Sequence, residues 1–151
     1  ANFEPEKWTR IWKLNVQAPA HICARLLPTF DHESWVVNIS STLGLRSIAG
    51  TAAYSCTKAA LNSLTQTLAL EWASQKIRVN AICPGVVETP IHGKHLQRTI
   101  EHTSPLHPLG RVGQPAEIAD AVWFLASPQA AWITGVVLPV DGGINLTTKD
   151  R

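Results

Sequence analysis

The strongest constraint on the fold of this chain is the alternation of short apolar, β-branched runs with long amphipathic segments. The short runs stop at Ser-Ser, at Pro-Gly or at Gly-Gly, which is typical of buried strands. The long segments carry apolar residues at spacings of three and four, which is typical of helices. Because strands that alternate with helices favour a parallel sheet with right-handed connections, we predict one α/β domain over residues 1–151 with a doubly wound parallel sheet. The predicted helices cover residues 6–27, 53–74 and 115–127, and the predicted strands cover residues 34–41, 76–83 and 135–143.

The composition is that of an ordinary globular chain, and it excludes several classes of function. Of the 151 residues, 45% are hydrophobic and 16% are charged, and the formal net charge is +2. This balance leaves no basic stripe for nucleic acid, and no apolar run reaches the ~18 residues that a membrane span needs. Three cysteines without metal-type spacing are typical of reduced thiols inside a cell. We therefore predict a cytoplasmic protein with no nucleic-acid or membrane partner.

The only tyrosine of the chain, Tyr54, precedes Lys58 by four positions in the predicted helix 53–74. Residues four apart share one face of a helix, and a nearby cation lowers the pKa of a phenol. Such a phenol can exchange a proton with a hydroxyl or carbonyl oxygen, to which Ser41, at the end of the preceding strand, can donate a hydrogen bond. The alternative is a solvated surface pair, with Ser41 only ending its strand. Because ligands bind outside the carboxyl ends of parallel strands, we predict an active site there.

Asn15 lies on the apolar face of the first predicted helix, where a buried amide needs hydrogen-bond partners. Pro19, four residues later, has no N–H, so the Asn15 carbonyl loses its helical partner and we expect a kink. We infer that the freed carbonyl holds a water molecule that links the Lys58 ammonium to solvent. The alternative is a solvated Asn15 on the helix surface.

Four motifs in this order resemble the short-chain dehydrogenase/reductase family. They are LNVQ in the first helix, Ser41 thirteen positions before the Tyr-x-x-x-Lys pair, IRVNAICPGVVETP after that helix, and ITGVVLPVDGG at the last strand. The resemblance implies a Rossmann-like fold with NAD or NADP as the cofactor. It also implies reversible hydride transfer between the nicotinamide and the carbonyl or secondary alcohol carbon of a small molecule.

The resemblance implies a role for each matching residue. Tyr54 would be the catalytic acid/base, and Lys58 would lower its pKa and hydrogen-bond the nicotinamide ribose. Ser41 would polarise the substrate carbonyl, and Asn15 would support the proton relay. The backbone of the loop after the second strand would line the nicotinamide site. The residues implied to bind the cofactor are Tyr54, Lys58, Pro84, Gly85, Val87 and Thr89.

The segment 90–113 is polar and rich in glycine, proline and histidine, which is typical of a long mobile loop. By the resemblance, this segment would close over the substrate as a lid. Thr89, just before it, would bind the nicotinamide carboxamide, and the alternative is a residue that only shapes the turn. The histidines of the segment lack a cysteine or carboxylate at ligand spacing, so we predict no metal site.

The sequence departs from the family pattern in its first part. In the family, a strand, a G-x-x-x-G-x-G turn and a helix hold the cofactor pyrophosphate, whereas the nine glycines here never take that spacing. The residue that reads the adenosine ribose and an Asn-Ala-Gly strand end are also missing. We expect the chain to be the catalytic half of an incomplete Rossmann-like fold, without the first βαβ unit. We also expect it to bind a nicotinamide cofactor weakly on its own.

A helix-mediated interaction module is the alternative to an enzyme. The resemblance implies that helices 6–27 and 53–74 pack between the subunits of a homo-oligomer, either a dimer or a tetramer. A truncated and catalytically inactive family member would use the same helices for dimerisation. An enzyme requires a carbonyl or alcohol substrate and a nicotinamide cofactor, and the module requires neither.

Overall fold

Helices cover both faces of a parallel sheet in the structure, which is a computed structural model that describes residues 4–30 and 33–147. Within these residues the sheet has three strands in the order β1-β2-β3, and both pairings are parallel. The prediction of an α/β fold with a doubly wound parallel sheet is confirmed. The predicted domain limits, 1–151, include residues outside those described and stay a prediction.

The boundaries of the regular elements agree with the predicted ones to within a few residues, except in the segment 90–113. The strands are β1 (Trp35–Ile39), β2 (Arg78–Pro84) and β3 (Val137–Val140). The α-helices are α1 (Pro5–Trp12), α2 (Ala18–Leu26), α3 (Ala52–Trp72), α4 (Leu96–Thr103) and α5 (Pro115–Ala126). Short 3-10 turns cover Leu27–Thr29, Thr42–Gly44, Ala73–Gln75, Pro90–His95, Ser104–Leu106, Pro128–Ala130 and Ile144–Leu146.

The two faces of the sheet pack against different helices. Val36 and Val79 belong to the cluster that contains the buried Trp72 of α3. Ile82 packs with Leu125 of α5 in the cluster on the opposite face. Successive side chains of a strand point to opposite faces, so β1 and β2 contribute to both cores, whereas β3 contributes to the one with α5. Burial of each large apolar side chain stabilises the fold by about 1.5–3 kcal/mol.

Helix α3 carries polar as well as apolar side chains on its buried face. Thr57, Asn62 and Thr65 are all buried, and the Asn38 Nδ2 of β1 donates to the Thr65 Oγ1 at 2.9 Å. The hydrogen bond between Asn38 and Thr65 fixes the position of α3 over β1. None of the described helices, including the 21 residues of α3, combines the length and apolarity needed to cross a bilayer.

A π-helical turn at Lys13–Gln17 joins α1 to α2. In this turn the Ala18 N–H donates to the Lys13 carbonyl, five residues back, so the helix accommodates one extra residue before Pro19. The irregularity predicted near Pro19 takes this form, and the chain stays helical from α1 through α2.

The segment 90–113 is more regular than its composition suggests. It contains the 3-10 turn Pro90–His95 and helix α4, followed by a further 3-10 turn. The prediction of a loop is therefore wrong for Leu96–Thr103, because the surrounding proline and glycine residues obscure a helical period, and the mobility of the segment stays a prediction. The half-buried residues that show this period are Leu96, Thr99, Ile100 and Thr103.

Two hydrogen bonds join the two ends of the segment 90–113. The Gly113 N–H donates to the Val86 carbonyl at 2.9 Å, and the Glu88 N–H donates to the Gly113 carbonyl at 2.9 Å. The entry and exit of the segment are thus fixed to one another beside the end of β2. Its role as a lid over the substrate stays a prediction.

Asn80 of β2 fastens the turn that precedes β3. Its Nδ2 donates to the Ile133 carbonyl at 3.0 Å, and its Oδ1 accepts from the Val136 N–H at 3.1 Å. Asn80 is fully buried, so its side chain supplies the partners that water would otherwise provide to the turn.

Replacement of Asn80 by alanine should lower the free energy of unfolding by about 2–4 kcal/mol. The variant removes the partner of the half-buried Val136 N–H and leaves the Ile133 carbonyl only the longer contact from Arg78 at 3.5 Å, and each bond lost costs about 1–3 kcal/mol. Urea unfolding followed by circular dichroism measures the loss. Gln97→Ala is the control, because its bond to Glu101 is exposed and should contribute less than about 0.5 kcal/mol. Equal losses in the two variants would contradict the role given to Asn80.

Candidate active site

The carboxyl ends of β1 and β2 lie side by side, because the register pairs Ile39 with Ile82. The Ser40 N–H continues this pairing and donates to the Ile82 carbonyl at 2.7 Å. Ser41 follows in extended conformation, and its Oγ accepts from the Leu43 N–H at 3.1 Å. The Ser41 hydroxyl is therefore held at the sheet edge, where it caps the short turn that follows.

Tyr54 lies in the first turn of α3 and contacts Ser41. The Ser41 side chain lies beside the Tyr54 phenol and lowers its pKa, and 37% of Tyr54 is exposed. The Lys58 Nζ lies over the Tyr54 ring, 5.6 Å from its centroid, and donates to the Ile39 carbonyl at 2.8 Å. The structure thus brings the three side chains singled out in the sequence into one cluster.

Burial sets the direction of the pKa shift of the Tyr54 phenol. Burial raises this pKa above its ordinary value, the Ser41 hydrogen bond lowers it, and the Cys83 side chain raises it. Burial therefore outweighs the other influences on this phenol, and the lowering of the Tyr54 pKa by Lys58 stays a prediction. Burial also lowers the pKa of Lys58, while Cys83 acts in the opposite direction.

Cys83, near the end of β2, belongs to the same cluster and was not singled out in the sequence. It is fully buried, and its thiol donates to the Asn62 Oδ1 at 3.7 Å. Burial raises the pKa of this thiol, whereas hydrogen bonds with Ser40, Ser41 and Asn62 and the charge of Lys58 lower it. Successive side chains of a strand face opposite sides of the sheet. The sequence could therefore have shown that Cys83 faces α3, the helix that carries Lys58.

Asn15 reaches the first turn of α3 through Thr57. The Asn15 Nδ2 donates to the Thr57 Oγ1 at 3.0 Å, and the Thr57 hydroxyl donates to the Tyr54 carbonyl at 2.8 Å. Asn15 is half-buried, so the alternative of a solvated surface residue does not hold. Thr57 is a residue that sequence reasoning missed, although its place three positions after Tyr54 was visible. The water predicted between Asn15 and Lys58 stays a prediction.

The residues predicted to line the nicotinamide site lie on the segment that leaves β2. Pro84 ends the strand, and a Cβ on Gly85 would lie only 3.0 Å from the Asp141 Cα, so Gly85 is suited to this close approach. Val87 and Thr89 follow, and the extended Thr89 makes no side-chain cap bond to the 3-10 turn after it. These residues start from the sheet edge that carries the cluster, and their cofactor contacts stay predictions.

The cluster combines a phenol, a hydroxyl and an ammonium at one edge of the sheet. Tyr54 and Ser41 can bind one oxygen atom between them, and the phenol can pass a proton to that oxygen. A phenol whose pKa is raised keeps its proton at neutral pH, which suits proton donation. The Lys58 ammonium has three N–H donors, and the one that binds Ile39 leaves others for a neighbouring ligand hydroxyl.

Comparison with known proteins assigns the chain to a family. A family model described as enoyl-(acyl carrier protein) reductase matches residues 1–145. The Thermotoga maritima protein named 3-oxoacyl-[acyl-carrier-protein] reductase FabG is 34% identical over 144 residues, which cover 94% of this chain and 58% of the relative. The chain belongs to the short-chain dehydrogenase/reductase family.

Solved structures agree with this assignment. The 3-ketoacyl-(acyl-carrier-protein) reductase from Brucella melitensis, complexed with NADH, matches with a TM-score of 0.85 and 37% identity over 95% of this chain and 60% of that one. The angucycline C-6 ketoreductase LanV with bound NADP matches with a TM-score of 0.89 and 31% identity over 97% of this chain and 57% of that one. The chain therefore spans a little over half the length of these relatives.

Removal of the Ser41 hydroxyl should raise the pKa of Tyr54 further. The hydrogen bond from Ser41 lowers this pKa, so Ser41→Ala removes the one effect that opposes burial. Because Tyr54 is the only tyrosine in the chain, the ultraviolet absorbance of the phenolate during a pH titration reports its pKa directly.

Ser55→Ala is the matched control for this titration. Ser55 is also buried and adjoins Tyr54 in sequence, but its hydroxyl pairs with the Thr51 Oγ1 at 2.8 Å. The control should leave the Tyr54 pKa unchanged. A wild-type titration curve for Ser41→Ala would contradict the coupling between Ser41 and Tyr54.

Proposed function

We propose that this protein is an NAD(P)-dependent oxidoreductase that transfers hydride reversibly between a nicotinamide and a small-molecule carbonyl or secondary alcohol. The observation that supports this most is the cluster at the sheet edge, in which the Lys58 ammonium lies 5.6 Å from the Tyr54 ring centroid and the Ser41 side chain lies beside the phenol. Two neighbouring hydroxyl groups suit a single substrate oxygen. The named relatives are reductases, and two of their structures contain NADH or NADP.

In the direction of reduction, Ser41 donates a hydrogen bond to the substrate carbonyl oxygen and polarises it. The Tyr54 phenol donates its proton to the same oxygen, and Tyr54 accepts a proton from the alcohol in the reverse reaction. The bound nicotinamide supplies or takes up the hydride at carbon. Because burial raises the phenol pKa above a value that already lies well above neutral, Tyr54 would carry at neutral pH the proton that reduction requires.

The remaining residues of the cluster position these two hydroxyl groups and the cofactor. Lys58 ties α3 to the end of β1 through Ile39 and offers further donors to the hydroxyls of the nicotinamide ribose. Asn15 supports the proton relay from the adjoining helix through Thr57. In this proposal the nicotinamide and its carboxamide lie along the segment from Pro84 to Thr89.

The donors present fit the nicotinamide and its ribose rather than the cofactor's phosphates. Phenol, hydroxyl and ammonium groups suit ribose hydroxyls and a substrate oxygen, whereas the sequence contains no G-x-x-x-G-x-G run for a pyrophosphate. The proposed cofactor is accordingly NAD or NADP, without a preference between them. In this proposal the segment 90–113 covers the substrate and selects it.

We also propose that the protein is a homo-oligomer that associates through α1, α2 and α3. Large apolar residues are exposed here, namely Leu14 in the turn between α1 and α2 at 70%, Ile22 of α2 at 57% and Leu70 of α3 at 82%. The alternative, a catalytically inactive module that only dimerises, would use the same surface. The relatives do not favour it, because they are named for reductase activities.

Tyr54→Phe should reduce carbonyl reduction by about 10²–10⁴-fold, which is the typical contribution of a general acid. The variant keeps the ring and removes only the hydroxyl, so circular dichroism should show an unchanged fold. The assay follows the nicotinamide absorbance of NADH and NADPH with a panel of small ketones.

Thr67→Ala, an exposed change on α3, is the control and should keep wild-type activity. A Tyr54→Phe variant with wild-type turnover would contradict the proposed acid/base. A wild-type protein that dimerises stably but neither binds nor oxidises NADH or NADPH would support the module instead.

A further inference from the structure

The turn that follows Ser41 is fastened to α3 by Asn62, two helical turns beyond Tyr54. The Asn62 Nδ2 donates to the Gly44 carbonyl at 3.2 Å, and its Oδ1 accepts from the Cys83 thiol at 3.7 Å. A carbonyl can only accept, so the Gly44 contact fixes the orientation of the amide and leaves Oδ1 facing the thiol. One side chain thereby joins β2, α3 and the turn Thr42–Gly44.

These contacts are shielded from water. Asn62 is 7% exposed and Cys83 is fully buried. A hydrogen bond in such surroundings is electrostatically stronger than one in water, and a polar group that loses its partner there is costly. The amide therefore constrains the turn more strongly than an exposed side chain would.

Glycine at position 44 allows the turn to approach α3 closely. A Cβ on Gly44 would lie 2.8 Å from the carbonyl carbon of Lys58, 2.9 Å from the Asn62 Nδ2 and 3.0 Å from the Ala59 backbone nitrogen. Two of these atoms belong to the backbone of a helix and cannot move aside. The distance between the turn and α3 is thus set by direct backbone contact together with the Asn62 bond.

The turn also orients Ser41. The Gly44 N–H donates to the Ser41 carbonyl at 2.9 Å, and the Leu43 N–H donates to the Ser41 Oγ at 3.1 Å. Any displacement of the turn Thr42–Gly44 therefore also displaces the main chain and the hydroxyl of Ser41. Tyr54 is part of α3, so a displacement of the turn from the helix changes the contact between Ser41 and Tyr54.

We propose that Asn62 is a positioning residue that holds the turn Thr42–Gly44 against α3 and thereby sets the position of Ser41 relative to Tyr54. Cys83 supports it by binding the other end of the amide. The consequence for catalysis rests on the proposed function, whereas the positioning itself is measurable without cofactor or substrate. A residue that served stability alone would leave the ionisation of Tyr54 unchanged.

The test is a spectrophotometric titration of Tyr54, the only tyrosine of the chain, in single and double variants. Asn62→Ala is expected to raise the Tyr54 pKa in the same direction as Ser41→Ala. The double variant is expected to shift it no further than Ser41→Ala alone, because both changes act through the same contact between Ser41 and Tyr54. Gly44→Ala is expected to raise the pKa as well, because the added methyl pushes the turn away from α3.

Asn38→Ala is the matched control. Asn38 is a second buried asparagine that links β1 to α3, through Thr65 rather than through the turn. This variant is expected to lose stability in urea and to keep the wild-type Tyr54 pKa. A shift in Asn38→Ala equal to that in Asn62→Ala would assign the effect to general loosening and overturn the proposal.

The remaining outcomes separate this proposal from the proposed function. A wild-type pKa in Asn62→Ala, with a raised pKa in Ser41→Ala, would overturn the positioning role alone. A wild-type pKa in Ser41→Ala would overturn it together with the Ser41–Tyr54 coupling that the proposed function uses. If Asn62→Ala does not fold, the test uses Gly44→Ala instead, because that variant displaces the turn and keeps the Asn62 amide. A wild-type Tyr54 pKa in Gly44→Ala would then overturn the positioning role.

Discussion

A buried ammonium group that must find a partner is the constraint on which the rest of this site depends. Lys58 is only 9% exposed, and its Nζ donates to the Ile39 carbonyl at 2.8 Å. An unpaired charge in such surroundings is costly, so this bond ties α3 to the carboxyl end of β1. Tyr54, one turn earlier on the same helix, is thereby brought to the point where Ser41 leaves the strand.

The polar contacts along α3 allow this helix only one position along β1. Apolar surfaces tolerate small sliding movements, whereas hydrogen bonds between buried groups are satisfied in one position only. Asn38 contacts α3 at Thr65, and the Ser40 hydroxyl donates to the Lys58 carbonyl at 3.2 Å. The turn that contains Gly44 adds a third contact through Asn62. The helix is therefore held at several points along β1 and the turn after it.

The sequence predicted the architecture because strands and helices differ in period and length, and both signals are local. It also predicted the pairing of Tyr54 with Lys58, since residues four apart on a helix must be neighbours. The direction of the Tyr54 pKa shift was not predictable, because it depends on burial by residues distant in sequence. Asn62 escaped notice for the same reason, since its partners, Gly44 and Cys83, lie on other elements.

The hydrogen bonds that join the two ends of the segment 90–113 would separate substrate selection, by side chains of the segment, from proton transfer, by the cluster around Tyr54. Backbone hydrogen bonds between Gly113 and the residues after β2 hold both ends of the segment in place, so changes within it do not propagate into the strand. The side chains between these ends can vary in size and charge while the proton-transfer groups keep their geometry. Under the proposed function, a change of substrate preference would therefore require no change in the residues that transfer the proton.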